Sequence, residues 1–453
     1  MPKKKIILNA FNMNCVGHIN HGLWAHPRDR STEYNTISYW TNLAQTLERG
    51  LFDSLFIADI LGVYDVYQGN IDLTLREAIQ LPVNDPLLLV SAMAAVTKHL
   101  GFGITVNPAT EFPHVLARRF STLDHLTKGR IGWNIVTGYL DSAAKAVGQN
   151  QQTLHDERYA RADEYLEILY KLWEGSWEEG AVRRDKAQRI FADPARVHKV
   201  EHQGHYYQVN SYHLCEPSPQ RTPVLFQAGT SDRGQRFAAR HAEAVFIFGN
   251  QKETVRQSVQ SLRAAAVQAG RAPDDIKIVL GISAVPGTTQ QVAQEKYQEY
   301  QRYACPEAGI AHFAASIGLD ISRYDLDEPI DYGHTNAIQS AAKTAQQQGW
   351  TRRKLLAQYA LGGRYPALVG DATHISDELQ SWIEETGIDG FNLTRTVVPE
   401  SFEDFIDIVV PELQHRGLYK TEYTEGSLRH KIFSRGDRLP AQHTAAQFRD
   451  LSA

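Results

Sequence analysis

Eight short runs along the chain are apolar at nearly every position instead of at alternate ones, at residues 6–11, 53–59, 101–107, 131–137, 223–229, 244–249, 276–286 and 390–393. A strand with one solvated face alternates. A strand apolar throughout is buried on both faces, as in a parallel sheet covered by helices. Between the runs lie stretches with helical spacing of apolar residues, at 38–49, 86–99, 113–126, 158–173, 231–241, 254–269, 290–303 and 375–386. Eight strand–helix units in succession predict an α/β fold of the TIM type, a closed (β/α)8 barrel, ahead of an open doubly wound sheet.

Two regions break the rhythm and are expected as insertions. Residues 174–221 are polar and rich in Tyr and His, with hairpin-like pieces around Gly204. Residues 304–370 form a connection too long for a simple link, expected as a lid over the barrel mouth. The barrel then spans 1–413. A charged, turn-rich extension over 414–453 (Gly417, Gly426, Gly436, Pro440) wraps its own barrel or a neighbouring subunit. A length of 453 residues suits a barrel with insertions, and 42% hydrophobic residues supply a large core.

A net charge of −5 is small for this length and gives no reason to expect a nucleic acid or an anionic membrane as partner. Cys15, Cys215 and Cys305 lie far apart with no CxxC pair, so no disulfide framework is expected and a reducing cytoplasm is the simplest home. The start, MPKKKIILNAF, resembles a signal peptide, but its apolar run ends after about six residues, short of the roughly 7–15 that a secretory core needs. No stretch approaches the roughly 18 apolar residues of a membrane span.

In a barrel, chemistry sits where strands end, so polar residues there carry weight. Residues 9–18 follow the first run, Asp59 ends the second, Thr105 and Asn107 the third, Asn134 and Thr137 the fourth, and Gly229 to Ser231 the fifth. Each could be only a loop cap, but together they line one face. The segment Gln227-Ala-Gly-Thr-Ser-Asp-Arg-Gly234 runs from a strand through small residues into a helix start. Free N–H groups there bind an anion, typically phosphate. Thr230 or Ser231 could instead be a plain N-cap. The segment is neither a Walker loop nor a GxGxxG fingerprint.

Residues 15–26 pack Cys15, His18, His21 and His26 into twelve positions. No HxH pair opens the first strand and no acid is spaced to complete a metal site, so no metal is expected. His18 reads as a hydrogen-bond donor or proton carrier over a pocket, and Cys15 as a small buried filler. His155-Asp-Glu-Arg-Tyr159 has acids suited to a helix start, while the Tyr159 hydroxyl suits a phosphate or ring partner. Read alone, His312 in the long connection is expected at the surface.

These residues fall within longer blocks: NAFNMNCVGHINHGLWAHP, TLERGLFDSLFIAD, ARRFSTLDHLTKGRIGWNIVT, HDERYARADEYLEILYKLWEGSWE and PVLFQAGTSDRGQRFAARHAEAVF. With GIDGFNL and the blocks at 83–103 and 191–200, they resemble the bacterial luciferase-like flavin-dependent monooxygenases, in the group of nitrilotriacetate, dibenzothiophene-sulfone and dimethylsulfide monooxygenases. The first loop, residues 62–67 and RLPAQHTAAQFRD are most similar to long-chain alkane monooxygenase. The resemblance runs from about residue 6 to 449. It implies a luciferase-like barrel, a homodimer or homotetramer, and a two-component system. A separate NAD(P)H-dependent flavin reductase supplies reduced FMN, with diffusion alone sufficient for the transfer. O2 then gives a peroxyflavin that oxidises a small hydrophobic substrate.

By matching position, the resemblance puts Asp59 against the flavin ring, with Thr105 or Asn107 and Thr137 lining it. It puts Tyr159, Ala228, Gly229, Thr230 and Ser231 on the ribityl phosphate, and Cys15, His18, Tyr64 and His312 around the substrate as catalytic candidates. Tyr139 stands where the alkane enzyme has a pocket histidine, Gly138 where the family commonly has Ser, and residues 107–112 lack a Tyr-Glu-His pattern. Long-chain alkane hydroxylation is the expected reaction. Oxidation of dimethylsulfide, an aryl sulfone or an aminopolycarboxylate is the alternative, and a non-catalytic flavin-binding protein, a deazaflavin enzyme or a metal-dependent hydrolase the readings of other classes.

Overall fold

The apolar runs form strands that pair in parallel and in chain order. In the computed structural model, which describes residues 5–229, 231–331, 336–339, 342, 345, 346 and 349–450, these are β1 (Ile7–Met13), β2 (Ser54–Ala58), β3 (Gly101–Val106), β4 (Ile131–Ile135), β5 (Val224–Gln227), β6 (Ala244–Ile247), β7 (Lys277–Pro286) and β8 (Gly390–Thr394). Each bonds to the next, and β8 returns to β1, so the sheet closes into the expected barrel. Two-sided burial follows from the closure. Leu8, Ala10, Leu55, Ile57 and Ile104 face the helices. Phe11, Phe56, Phe226 and Phe246 pack edge to face inside the barrel, with ring centroids 4.9–6.1 Å apart. A Cβ on Gly132 would lie 2.5 Å from the Phe226 ring, so glycine makes room for that plug.

One interior layer is polar and hydrogen-bonded within itself, although Asn392 Nδ2 is left buried without a partner. Asn9 Nδ2 donates to Asn392 Oδ1 (2.8 Å) and Ser54 Oγ donates to Asn9 Oδ1 (2.7 Å), all three residues being fully buried.

The helix ring is α1 (Ile37–Arg49), α2 (Leu87–Ala95), α3 (Pro113–Leu126), α4 (His155–Tyr170), α5 (Asp232–His241), α6 (Lys252–Gln268), α7 (Ala372–Thr386) and α8, which runs from Glu400–Asp404 through a π-helical turn, Phe405–Val409, into Val410–His415. Neighbours pack around the ring and α8 returns to α1. The helix Gln290–Tyr303 forms where expected but lies outside this ring, against a ninth strand, Ala367–Gly370. That strand pairs with Ser283–Pro286, the end of the ten-residue β7 that overshoots the barrel. The excursion between β7 and α7 therefore starts right after β7, and its helices include Pro306–Ile317 and Arg352–Gln358, the first almost wholly buried.

Within 174–221 two antiparallel hairpins form, Val182–Asp185 with Ile190–Ala192 and Val200–Gln203 with Gln208–Ser211. The second turns at Gly204, where the Glu164 carboxylate accepts from the N–H groups of His205, Tyr206 and Tyr207. The C-terminal extension wraps its own barrel at the end where the strands begin. Leu428 and Ile432 close the interior there, and Arg429 donates to the carbonyls of Thr222 and Pro223. Among the described residues no helix is long and apolar enough to cross a membrane.

Candidate active site

At the opposite end, where the strands finish, a cavity opens above the aromatic plug, with Phe11, Phe56 and Phe246 as its floor. Its walls are the strand ends and the excursion: Asp59 after β2, Thr105 on β3, Asn134 to Tyr139 on and after β4, Gln227 ending β5 with Ala228, Gly229 and Ser231 after it, and His312 and Ala337 to Gln339 above.

On one side the geometry suits a phosphate. Ser231 caps α5, its Oγ accepting from Gly234 N–H (3.1 Å) and lying 3.2 Å from His155 Nε2. The first turn of α4 faces it and supplies Arg158 and Tyr159. Arg158 uses Nη1 on the Thr153 carbonyl and Nη2 on the Asn336 carbonyl, while its Nε is buried without a hydrogen-bond partner. Gly229 leaves the approach open, since a Cβ there would lie 2.4 Å from Tyr159 Oη and 2.3 Å from Gln227 Nε2. Two helix N-termini, a hydroxyl cap, a phenol and a guanidinium thus converge on one spot. Thr230, expected in this cradle, lies outside the described residues.

The other side is a cluster of uncharged polar groups. Tyr64 Oη donates to Gln80 Oε1 (2.6 Å) and lies 3.2 Å from Tyr139 Oη, while its ring meets His312 at 4.8 Å. His312 Nδ1 lies 3.1 Å from His21 Nε2. Burial, reinforced by Arg395 and by the neighbouring imidazole, holds His18 well below the usual histidine range, and burial with Arg395 brings His21 to about 3. His312 is held down by burial, then by His21 and Arg364. Burial also pushes both phenols up. Near neutral pH these groups can donate, accept and pass protons but carry no charge.

Asp59 is the cavity's carboxyl. Burial raises it to about 7, partly offset by the N–H of Ile60 and reinforced by Asp85. For an acid whose folded value is raised, the fold disfavours ionisation. Stability falls as pH rises from the unfolded value of about 3.9 to the folded one, and the deficit persists above it. Asp59→Asn is therefore expected to melt higher than wild type at about pH 8, with the gain vanishing toward about pH 4. A pH-independent difference in melts of the flavin-free proteins would overturn the raised carboxyl.

Of the expected site residues, His18, Tyr64, Tyr139, His312, Asp59, Thr105, Thr137, Tyr159, Ala228, Gly229 and Ser231 meet in this one cavity. His312, read alone as a surface residue, is half-buried and lines the cavity from Pro306–Ile317. Cys15 and Asn107 do not reach the lining. The Cys15 thiol points at the Gly17 carbonyl (3.2 Å), and burial pushes it up to about 12, so it stays protonated filler. Asn107 turns back to accept from Ala109 N–H (2.9 Å) and closes its own loop. Unforeseen in the lining are Gln80 and Arg364, from loops without a local motif, together with His155 and Arg158, whose segment was visible but read as helix-start chemistry. Among the described residues no three His, Cys, Asp or Glu side chains converge as metal ligands would.

Residues 20–390 match the sequence profile of the luciferase-like monooxygenase family. Over 453 residues the chain is 49% identical to the dimethyl-sulfide monooxygenase of Hyphomicrobium sulfonivorans, spanning 99% of this chain and 94% of that protein. It is 50% identical over 452 residues to the long-chain alkane monooxygenase of Geobacillus thermodenitrificans, spanning 99% of each. The crystal structure of a riboflavin lyase with modified FMN and riboflavin superposes with a TM-score of 0.94 at 38% identity, covering 98% of this chain and all of that one.

Proposed function

The chain belongs to the luciferase-like monooxygenase family, and from that premise we propose that it is the oxygenase of a two-component system that takes reduced FMN from a separate NAD(P)H-dependent flavin reductase. The observation that carries this reading is the phosphate cradle opening directly into the cavity, with Arg158 Nε buried and unpartnered within it. Asn134 Oδ1 and Gln227 Oε1 are likewise buried without partners along the wall between cradle and β4, as expected of groups that await a ligand rich in hydrogen-bonding atoms. The residues present therefore fit FMN. Tyr159, Ala228, Gly229, Ser231 and, by sequence position, Thr230 hold the phosphate. Asp59, Thr105 and Thr137 line the ring.

When bound, reduced FMN supplies the electrons that let one atom of O2 enter the substrate while the other leaves as water. The chain's own part is to orient and to keep water out. The Phe11, Phe56 and Phe246 floor is apolar, and the excursion adds His312 and Ala337 to Gln339 to the lining. The Tyr64, Tyr139, His18 and His312 cluster hands protons across the cavity without itself carrying a charge, which suits a small hydrophobic molecule. Long-chain alkane hydroxylation is the leading reaction. The Tyr139 phenol occupies cavity wall that a smaller side chain would leave free, which favours a short thioether such as dimethylsulfide as the second reading. The enzyme is proposed to act in the cytoplasm as a homodimer or homotetramer, receiving flavin by diffusion.

The test combines purified protein with FMN, NADH and a generic flavin reductase under labelled O2, against alkanes, thioethers and aryl sulfones. One labelled oxygen atom in a product is the expected result. Binding of reduced FMN with no labelled product from any of these substrate classes would overturn the monooxygenase reading and leave a flavin-binding protein.

A further inference from the structure

The cavity is lined by two permanent cations in different settings. Arg158 belongs to the phosphate cradle. Arg364 lies elsewhere, in the turn between Arg352–Gln358 and Ala367–Gly370, near enough to His312 to help hold it down. The turn is fixed. Gly362 and Gly363 take φ of 84° and 59°, Gly362 N–H donates to Asn20 Oδ1 (2.7 Å), and Gln358 Nε2 donates to the Gly363 carbonyl (2.6 Å). It sets the Arg364 guanidinium 4.3 Å above the Phe248 ring, at the cavity wall. Nη1 is buried with no hydrogen-bond partner, and among the described residues no carboxylate pairs with the side chain. Arg364 as a whole is half-buried, but a cationic nitrogen buried without a partner is costly, and proteins almost always supply one. Here the counter-charge must come from what binds.

We propose that Arg364 holds the negative charge of the reduced flavin ring and so makes the site select reduced over oxidised FMN. The inference rests on the flavin reading above. The phosphate carries the same charge in both redox states, so the cradle of Arg158, Tyr159 and Ser231 holds both forms alike. Only the ring changes charge, because a two-electron-reduced flavin gives up its N1 proton near neutral pH while the oxidised ring is neutral. Discrimination therefore needs a cation on the cavity away from the cradle, and among the described lining residues Arg364 is the Arg or Lys that remains. Its surroundings leave that charge available. His18 and His312 are neutral, Tyr139 keeps its proton, and Asp59 makes no ion pair with it. The selectivity has a purpose in an enzyme fed by diffusion, which must collect the scarce reduced form from a pool that holds the oxidised one. A ligand shifts an equilibrium only by its differential affinity for the two states, and this residue supplies that difference.

The test is an anaerobic titration of wild type, Arg364→Met and Arg364→Lys with oxidised and with reduced FMN. The expected result is that wild type prefers the reduced form. Arg364→Met should lose about ten- to hundredfold in affinity for reduced FMN, the range of one hydrogen bond to a charged group, while its affinity for oxidised FMN stays near wild type. Arg364→Lys keeps most of the preference. Each tenfold loss also moves the two-electron potential of the bound flavin about 30 mV more negative, a readout independent of turnover. Equal affinity of wild type for both forms overturns the proposal. So does an equal loss of both forms in Arg364→Met, which marks a structural role, or no loss at all, which leaves the charge to the substrate. Failure of wild type to bind either form would instead undo the flavin reading itself.

Discussion

Ser231→Asp is expected to remove FMN binding, by about a thousandfold or more, while leaving thermal stability close to wild type. Ser231 is the N-cap of α5, its Oγ accepting from Gly234 N–H. Aspartate is as good an N-cap as serine, and the helix dipole favours a carboxylate at that end. The fold therefore loses nothing. What changes is the ligand's place: a carboxylate now occupies the ground where two helix N-termini, Tyr159 and Arg158 await phosphate. Two like unit charges about 4 Å apart repel by about 4 kcal/mol at an effective dielectric of 20, and the phosphate carries nearly two. That is roughly a thousandfold in affinity. Ser231→Ala separates charge from hydrogen bonding. It should cost about tenfold in affinity, together with some stability from the lost cap. Fluorescence or calorimetric titration reads both. Undiminished FMN affinity in Ser231→Asp would move the phosphate away from α5 and with it the orientation assigned to the ring.

The α5 half of that cradle was legible in the sequence because its parts are local. A strand, three small residues and a helix start are consecutive in the chain, and the geometry of a helix N-terminus does the rest. The eight strands were legible for a similar reason, since burial on both faces imposes a composition. What escaped was whatever depends on long-range placement. Arg364 and Gln80 sit in loops without periodicity, and nothing nearby in sequence says which way they point. Asn336 accepts from His155 N–H across 181 positions, a contact that no spacing rule reaches. The strand Ala367–Gly370 is four residues long, and it is held by the overshooting end of β7 more than by its own propensity. Had it been seen, the Gly-Gly-Arg turn before it would have stood out as the approach to the barrel rim. The last helix hides behind Pro399, Pro411 and a π-helical turn that shifts its apolar stripe out of register. Cys15 and Asn107 show the converse: a polar residue near a strand end reaches either the cavity or its own loop, and only the backbone path decides.

The far end of the barrel should be as sensitive as the mouth, in stability instead of binding. Arg429→Met is expected to destabilise the protein by about 3–5 kcal/mol. The Arg429 side chain is almost fully buried at the base, where Nε and Nη2 donate to the two Glu243 oxygens at 2.7 and 2.8 Å. Its remaining N–H groups reach the carbonyls of Thr222, Pro223 and Asp437. Glu243 also accepts from Leu225 N–H, so a single ion pair ties the C-terminal extension to β5 and β6. Burial alone would raise the Glu243 carboxyl, but Arg429 outweighs it and holds the group below the usual carboxylate range. In wild type its contribution is present above the unfolded value and lost as pH falls through the folded one. In Arg429→Met burial acts unopposed, so the carboxyl is raised and its ionisation costs stability at neutral pH. The gap between variant and wild type should therefore be widest near neutrality and narrow as pH falls toward about 4–5, where the carboxyl is protonated in the unfolded chain as well as in the folded variant. Arg429→Met with Glu243→Leu removes both charges and should recover much of the loss, because two apolar side chains can replace a buried pair where one cannot replace half of it. A gap that stays constant with pH, or a double variant no more stable than the single one, would mean that packing of Leu428 and Ile432, and not the ion pair, holds the base closed.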